Sequence, residues 1–499
     1  MHRKSLILLL LSVSVGLSGC ITSKSISNDI NDTETQAYHD WKRQQAVADT
    51  LPAGQQVNPD SYHVKQDQQP VVKGKLALMD AIKLALQYNR DIQTAVENTS
   101  YAHGRILQAY GGVVPTATLN GTYNRIDKVA KIDIGGNTLT AGSLNNYTFN
   151  LHIEQPIFNG SAAAGLRAAK LYNALTDKQV DNTTQSVVYG VEQSYYQLLL
   201  LQKTYQVNKQ YLQVSQASLE DVQNKAKFGT ATHFNVLRAK VDVANAQTQM
   251  ITSQNDLEQA QAAFFRLLGV SQNSEITLED SLNYKPMNVN ENEEVNTALH
   301  NNPQLASSLL TVRLNEQNVL ASYSRYFPTV SAFLNQNYQY PNPHGSFFNP
   351  GNYLKYGYAW NAGITLKWSI FDLSREGTVV QDKSELRQQK ISYLDTREQV
   401  LYNVRSAILA LKNAERAVDA QKLTVQQAQE GLRLAQAGLQ NGTLDQVSVL
   451  DSRQALRQAE LSYYSSIYNH KVARLQLMKA TGQMKVQKGS SKDSDSMEP

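Results

Sequence analysis

Two apolar spacings, every seventh residue and every second, take turns along this chain, and the sequence of turns runs twice. Val191, Leu198, Tyr205, Leu212, Leu219 and Ala226 form one heptad stripe, and Val404, Leu411, Val418, Val425, Leu432 and Leu439 form another. Stripes of this period predict long helices packed along their length. Each stops at a glycine turn, Phe228-Gly229-Thr230 or Asn441-Gly442-Thr443-Leu444. Return stripes follow, with Val236, Val243, Met250, Leu257 and Phe264 in the first and Val449, Leu456 and Tyr463 in the second. Thr232 and Asp445 suit the N-caps of the return helices. No proline lies between Pro156 and Pro286 or between Pro350 and Pro499. The pattern therefore predicts two antiparallel helical hairpins, at 160–268 and 373–481. A continuous helix from Ser161 to Phe228 would reach about 100 Å at roughly 1.5 Å per residue. Beside the seam, Tyr195, Gln202, Lys209, Gln216 and Gln223 also recur every seven residues. They read as a wet face, with the helices curved around a water-filled interior.

The period-two segments precede the hairpins. Tyr147, Phe149, Leu151 and Ile153 alternate with Thr148, Asn150, His152 and Glu154, so one face is greasy and the other polar. Trp360, Ala362, Ile364, Leu366 and Trp368 alternate likewise with Asn361, Gly363, Thr365 and Lys367. Alternation over about 10 residues predicts membrane-spanning strands, and Tyr147, Trp360 and Trp368 suit the aromatic girdles at the two interfaces. Partner strands begin after Pro115 and Pro328, where a helix has to stop. The expected strands are 116–126, 146–156, 329–340 and 358–369, joined by extracellular loops at 127–143 and 341–356. A helix from Leu76 to Tyr110 leads into the first.

All these features repeat at a fixed displacement of 213 residues, so that 76–269 recurs as 289–482. Pro115 returns as Pro328, Phe158 as Phe371, Gly229 as Gly442 and Gly269 as Gly482. The unit far exceeds the period of about 20–50 residues found in solenoids. The expected fold is mostly α with a small β-barrel portion, internally duplicated. Four strands cannot close a barrel, which takes about 8, and open sheet edges cannot face lipid. The strands must therefore be shared with other copies of the chain.

Composition removes several functions. The net charge is +4, from 47 basic and 43 acidic residues, with no basic block, so no nucleic-acid partner is expected. Cys20 is the only cysteine and the histidines are scattered, which leaves no metal spacing. His152 belongs to the polar strand face, and His233 beyond the first turn reads as incidental. Gly111-Gly112 and Gly135-Gly136 lack the other residues of a phosphate loop. No nucleophile or carboxylate constellation is present, so the chain is read as a non-enzyme without cofactors. The N-terminus has His2, Arg3 and Lys4, then the apolar run Leu6 to Val15, then Leu17-Ser18-Gly19-Cys20. This resembles a lipoprotein signal peptide, 1–19, with lipidation at Cys20. Residues 20–75 would form a lipid-anchored extended segment, and 485–499 a disordered tail.

The order helix, Pro115, strand, loop, strand, Gln155-Pro156-Ile157-Phe158-Asn159-Gly160, long helix, Phe228-Gly229-Thr230, return helix, Leu268-Gly269 resembles the TolC family of outer-membrane efflux proteins. A second pass runs through Trp368-Ser369-Ile370-Phe371-Asp372 and Gly442 to Asp451. The resemblance implies a homotrimer with one shared twelve-stranded barrel and a periplasmic tunnel of twelve helices. It implies export of small molecules or proteins across the Gram-negative outer membrane. The partners it implies are a periplasmic adaptor and an inner-membrane pump of the RND or ABC type. Carried over by position, the adaptor-contacting tips are Phe228, Gly229, Thr230, Asn441, Gly442, Thr443 and Leu444. The family's entrance often carries two acidic residues three apart; Asp451 fits the second position, while Ser448 departs from the first. Arg238, 213 residues before Asp451, stands in register as a counter-charge that could latch a closed tip. The alternative, a periplasmic α-hairpin adaptor or scaffold lipoprotein, accounts for the heptads but not for the greasy strand faces.

Overall fold

The computed structural model describes residues 69–135, 137–141, 143–342 and 354–484. The signal peptide, Cys20, most of the 20–75 segment, part of the second loop and the tail 485–499 lie outside them. The first copy comprises β1 (Lys73–Leu76), α1 (Leu78–Tyr88), α2 (Arg90–Tyr110), β2 (Thr116–Arg125), β3 (Ala130–Ile134), β4 (Asn137–Ala141), β5 (Asn145–Phe158), α3 (Gly160–Lys227), α4 (His233–Leu268) and β6 (Glu275–Leu278). The second comprises α5 (Glu291–Asn301), α6 (Pro303–Ser324), β7 (Thr329–Tyr340), β8 (Gly357–Lys367), α7 (Leu373–Gln440) and α8 (Gln446–Ala480). The long helices α3 and α7 have 68 residues each. The chain forms two compact units. One holds Gly104–Lys170 and Asn315–Glu385, the other Leu171–Leu314 with the described parts of Gln68–His103 and Leu386–Pro499.

The first unit is built on a four-stranded antiparallel sheet in the order β2-β5-β7-β8. Its register keeps like with like. Thr118, His152, Asn335 and Asn361 form one polar row, and Leu119, Leu151, Gln336 and Trp360 form the next row, on the opposite face. Gln336 is the one polar member of that apolar row. β5 is paired on both sides and runs 14 residues, whereas β8 has a partner on one side only and runs 11. Where β5 and β8 hand over to the long helices, the two copies use the same hydrogen bond. Gln155 Nε2 donates to Val113 O and Trp368 Nε1 to Tyr326 O, each at 3.0 Å. The packing around that bond differs. A Cβ on Gly112 would come within 3.1 Å of the Ala162 methyl. In the second copy Arg375, only 6% exposed, donates from Nη1 to Arg325 O at 2.9 Å and Ser369 O at 2.8 Å. Its guanidinium stacks on the Tyr326 ring, whose hydroxyl in turn bonds Glu376.

In the second unit the heptad seams are the core. Val191, Leu198, Phe264 and Leu268 pack with Ile82 and Ala85, and Val404, Leu411 and Leu477 with Ala298 and Leu305. Each of the buried Val, Leu, Ile and Phe side chains contributes about 1.5–3 kcal/mol. Tyr195, expected on the wet face, is instead fully buried: its hydroxyl lies 2.7 Å from Asp280 Oδ2, which accepts its one proton, and 3.0 Å from Leu76 O. Burial, followed by the hydrogen bond to Asp280, pushes its phenol pKa up. With that group held neutral, the hydroxyl is a permanent donor in an otherwise apolar cluster.

Three further expectations are corrected. The helix expected from Leu76 to Tyr110 is two helices, broken at Asn89. That side chain accepts from the N–H groups of Asp91 and Ile92, at 2.9 and 3.2 Å, and so caps a new helix start. Its Nδ2 donates to Leu267 O at 2.8 Å. The extended segment ending at residue 75 is already a strand over its last residues, because β1 pairs in parallel with β6. The loop at 127–143 contains the hairpin β3–β4.

Candidate functional site

The two hairpin turns are built from the same backbone device. Gly229 and Gly442 adopt φ of +75° and +72°, the left-handed conformation that only glycine adopts freely. The N–H of Thr230 returns to Lys225 O at 2.9 Å, and that of Thr443 to Gly438 O at 2.8 Å. These bonds satisfy helix-end carbonyls that would otherwise lack donors. Thr232 caps α4 by accepting from Asn235 N at 3.2 Å. Asp445 caps α8 by accepting from both Ser448 N and Ser448 Oγ, at 2.9 and 2.7 Å. These donations from Ser448, hydroxyl before backbone, hold the Asp445 carboxyl below the usual range; Arg238 adds a smaller pull.

Arg238 and Asp451 come together. Their Nη2 and Oδ1 atoms lie 3.5 Å apart across α4 and α8, with side-chain exposures of 42% and 66%. An ion pair this open to solvent is worth about 0–1 kcal/mol, so it adds little to the stability of the tip. Ser448 stands one turn earlier on α8, committed to the cap.

The tips differ in their side chains. Phe228 is 84% exposed, and on α4 Phe234 and Leu237 are exposed as well. The second-copy equivalent of Leu237, Leu450, is 6% exposed, and Asn441 takes the place of Phe228. Leu444 folds over Gly438, where a Cβ would come within 2.8 Å of it. The first copy has Lys225 and Ala231 at those positions.

On the sheet, Tyr147 sits between Tyr123 and Tyr340, with ring centroids at 5.0 and 6.1 Å. Trp360 lies on the apolar face and is exposed, while Trp368 falls just beyond the end of β8. His152 Nδ1 lies 2.5 Å from Asn335 Oδ1 within the polar row. Among the described residues no helix is long and apolar enough to cross a membrane, and no cluster of three or more His, Cys, Asp or Glu could hold a metal ion. The Arg375 cluster leaves no signal in the sequence, where nothing separates this arginine from a solvated one. The burial of Tyr195 could have been read from the other copy, because its equivalent is the apolar Ile408.

The family described as outer membrane efflux protein matches residues 81–270 and 295–483, which are the two copies. This chain belongs to that family. Outer membrane efflux protein BepC of Brucella suis biovar 1 is 24% identical over 178 residues, 35% of this chain and 37% of that protein. Toxin and drug export protein A of Aggregatibacter actinomycetemcomitans is 24% identical over 316 residues, 62% of this chain and 66% of that protein. The chain thus spans less than two thirds of the length of either relative. The crystal structure of the Campylobacter jejuni CmeC outer membrane channel has the same fold, with a TM-score of 0.70 at 17% identity, covering 81% of this chain and 85% of that one. With these matches the TolC-type reading of the helix–strand–hairpin order holds.

Proposed function

We propose that this outer membrane efflux protein is the outer-membrane duct of a tripartite efflux or type I secretion assembly, acting as a homotrimer. The observation that carries this is the sheet β2-β5-β7-β8, apolar on one face and polar on the other, with an unpaired edge on β2 and on β8. Unpaired backbone cannot stand in lipid, and three such sheets would close a barrel of about twelve strands. The polar rows through His152 and Asn335 would line the lumen, and Tyr147, Trp360 and Trp368 would lie at the membrane interfaces.

In this reading Cys20 carries the lipid anchor in the Gram-negative outer membrane, and the long hairpins extend into the periplasm. Their tips, Phe228 to Thr230 and Asn441 to Leu444, meet a periplasmic adaptor. That adaptor couples the duct to an RND or ABC pump, which supplies the energy. Asp451 and Arg238 act as the weak gate latch, with Ser448 as its capping neighbour. An adaptor or scaffold role leaves the apolar sheet face without a covering. Purified protein in planar lipid bilayers tests the duct: ion-conducting steps from a heat-modifiable oligomer are expected, and a monomer without conductance overturns the reading.

A further inference from the structure

The two copies meet inside each chain, and in a trimer they meet again between chains. The contact within the chain can therefore be transposed by 213 residues to describe the one between chains. The transposition is justified by bonds that repeat at this displacement. Asn89 Nδ2 donates to Leu267 O and Asn302 Nδ2 to Ala480 O, at 2.8 and 3.0 Å, and Gly269 and Gly482 share φ values of +74° and +71°.

The contact within the chain surrounds a cavity of about 370 Å³. Asn182, Gln185 and Tyr189 of α3 line one side, and Gln304 and Lys479 the other. Gln185 Nε2 donates to Gly482 O at 3.3 Å, and Lys479 Nζ lies 4.9 Å from the centre of the Tyr189 ring. Half of the lining residues are amides, and Lys479 is the one charged side chain among them. The transposed positions are Asp395, Glu398 and Tyr402 on α7 against Asp91 and Arg266, with Arg90 in the place of Pro303. All six are exposed in the single chain, Tyr402 to 66%.

We infer that Asp395, Glu398 and Tyr402 of one chain dock on Arg90 and Arg266 of a second copy, so that the amide seam inside the chain becomes an ionic seam between chains. The inference rests on the trimer proposed above. Its chemistry is forced at one position. Gln185 donates to a glycine carbonyl, whereas a Glu398 carboxylate has no proton to give to the equivalent Gly269 carbonyl and needs a cation beside it. Arg266, which replaces Lys479, is that cation. From the same position it stacks on Tyr402 as Lys479 stacks on Tyr189, and a planar guanidinium suits both partners. Two carboxylates thus face two guanidiniums, and Asp91 adds one further negative charge beside Arg90. Complementary charge of this kind selects the partner and sets the docking register.

The test uses the full-length protein. Oxidation of Tyr402→Cys with Arg266→Cys in one chain is expected to give covalent multimers, whereas Tyr189→Cys with Lys479→Cys closes within the chain and gives none beyond the single-cysteine variants. Glu398→Arg and Arg266→Glu are each expected to shorten the lifetime of the oligomer in SDS, by about five-fold or more, with the double reversal returning it to within about two-fold of the parent. An oligomer that forms, yet neither crosslinks at this pair nor responds to the reversals, overturns the ionic seam and leaves the duct standing. A parent protein that is monomeric overturns both.

Discussion

Among the described residues, the anchors beside Gly269 and Gly482 and the turns at Gly229 and Gly442 are the two places where both copies bend the chain through a left-handed glycine, and they treat it in opposite ways. At the anchors the copies agree bond for bond. Asn89 and Asn302 each cap a helix and reach a carbonyl, of Leu267 or Ala480, and a Cβ on either glycine would collide with the backbone of Tyr88 or Asn301. At the turns the backbone agrees, but no atom lies within 4 Å of a Cβ on either glycine, and the side chains diverge. Close packing holds the register common to both copies, and open space leaves the tips free to specialise.

Substitutions can break this contrast. Gly269→Ala and Gly482→Ala combine a disfavoured φ with a backbone collision, and each is expected to cost more than about 3 kcal/mol, seen as loss of folded oligomer on thermal unfolding. Asn89→Ala and Asn302→Ala each remove a helix cap and strand a carbonyl, at about 2–3 kcal/mol. Their costs should agree within about 1 kcal/mol. A large difference would mean that the two anchors are not equivalent. Gly229→Ala and Gly442→Ala meet open space and should cost only about 1–2 kcal/mol for the backbone conformation; a cost like that of Gly269→Ala would show that something packs on the tips.

The smallest effect separates the tips by pH. Asp445 has its carboxyl held low by Ser448, so its cap is at full strength above the ordinary aspartate value of 3.8 and is lost as pH falls through the lowered one. Thr232 has no such transition. Hydrogen exchange is expected to show α8 fraying at its start in acid while α4 does not, and equal fraying of both would count against the Asp445 cap.

Much of this architecture is legible in the sequence because long elements average over many positions. The heptads of α3 and α7 and the alternation of β5 and β8 are long enough to outvote exceptions such as Gln336. Short elements are not. β1 and β6 have four residues each and stand 202 apart in register, so neither shows a period of its own. The break at Asn89 carries no proline or glycine, since it depends on a capping side chain whose distant partner is Leu267. The heptad pattern alone misplaces Tyr195, because a tyrosine suits a wet face and a core alike, and only its equivalence with Ile408 distinguishes them. At the tips, register alone brought Arg238 opposite Asp451. The commitment of Ser448 to the Asp445 cap follows from its place one turn into α8.

The equal lengths of α3 and α7 also limit how such a gene can change. A heptad inserted into one copy would preserve its seam, yet lengthen that helix by about 10 Å relative to its twin. Length variants that survive are then expected to carry matched insertions in both halves, so that the duplication, once made, must be edited in pairs.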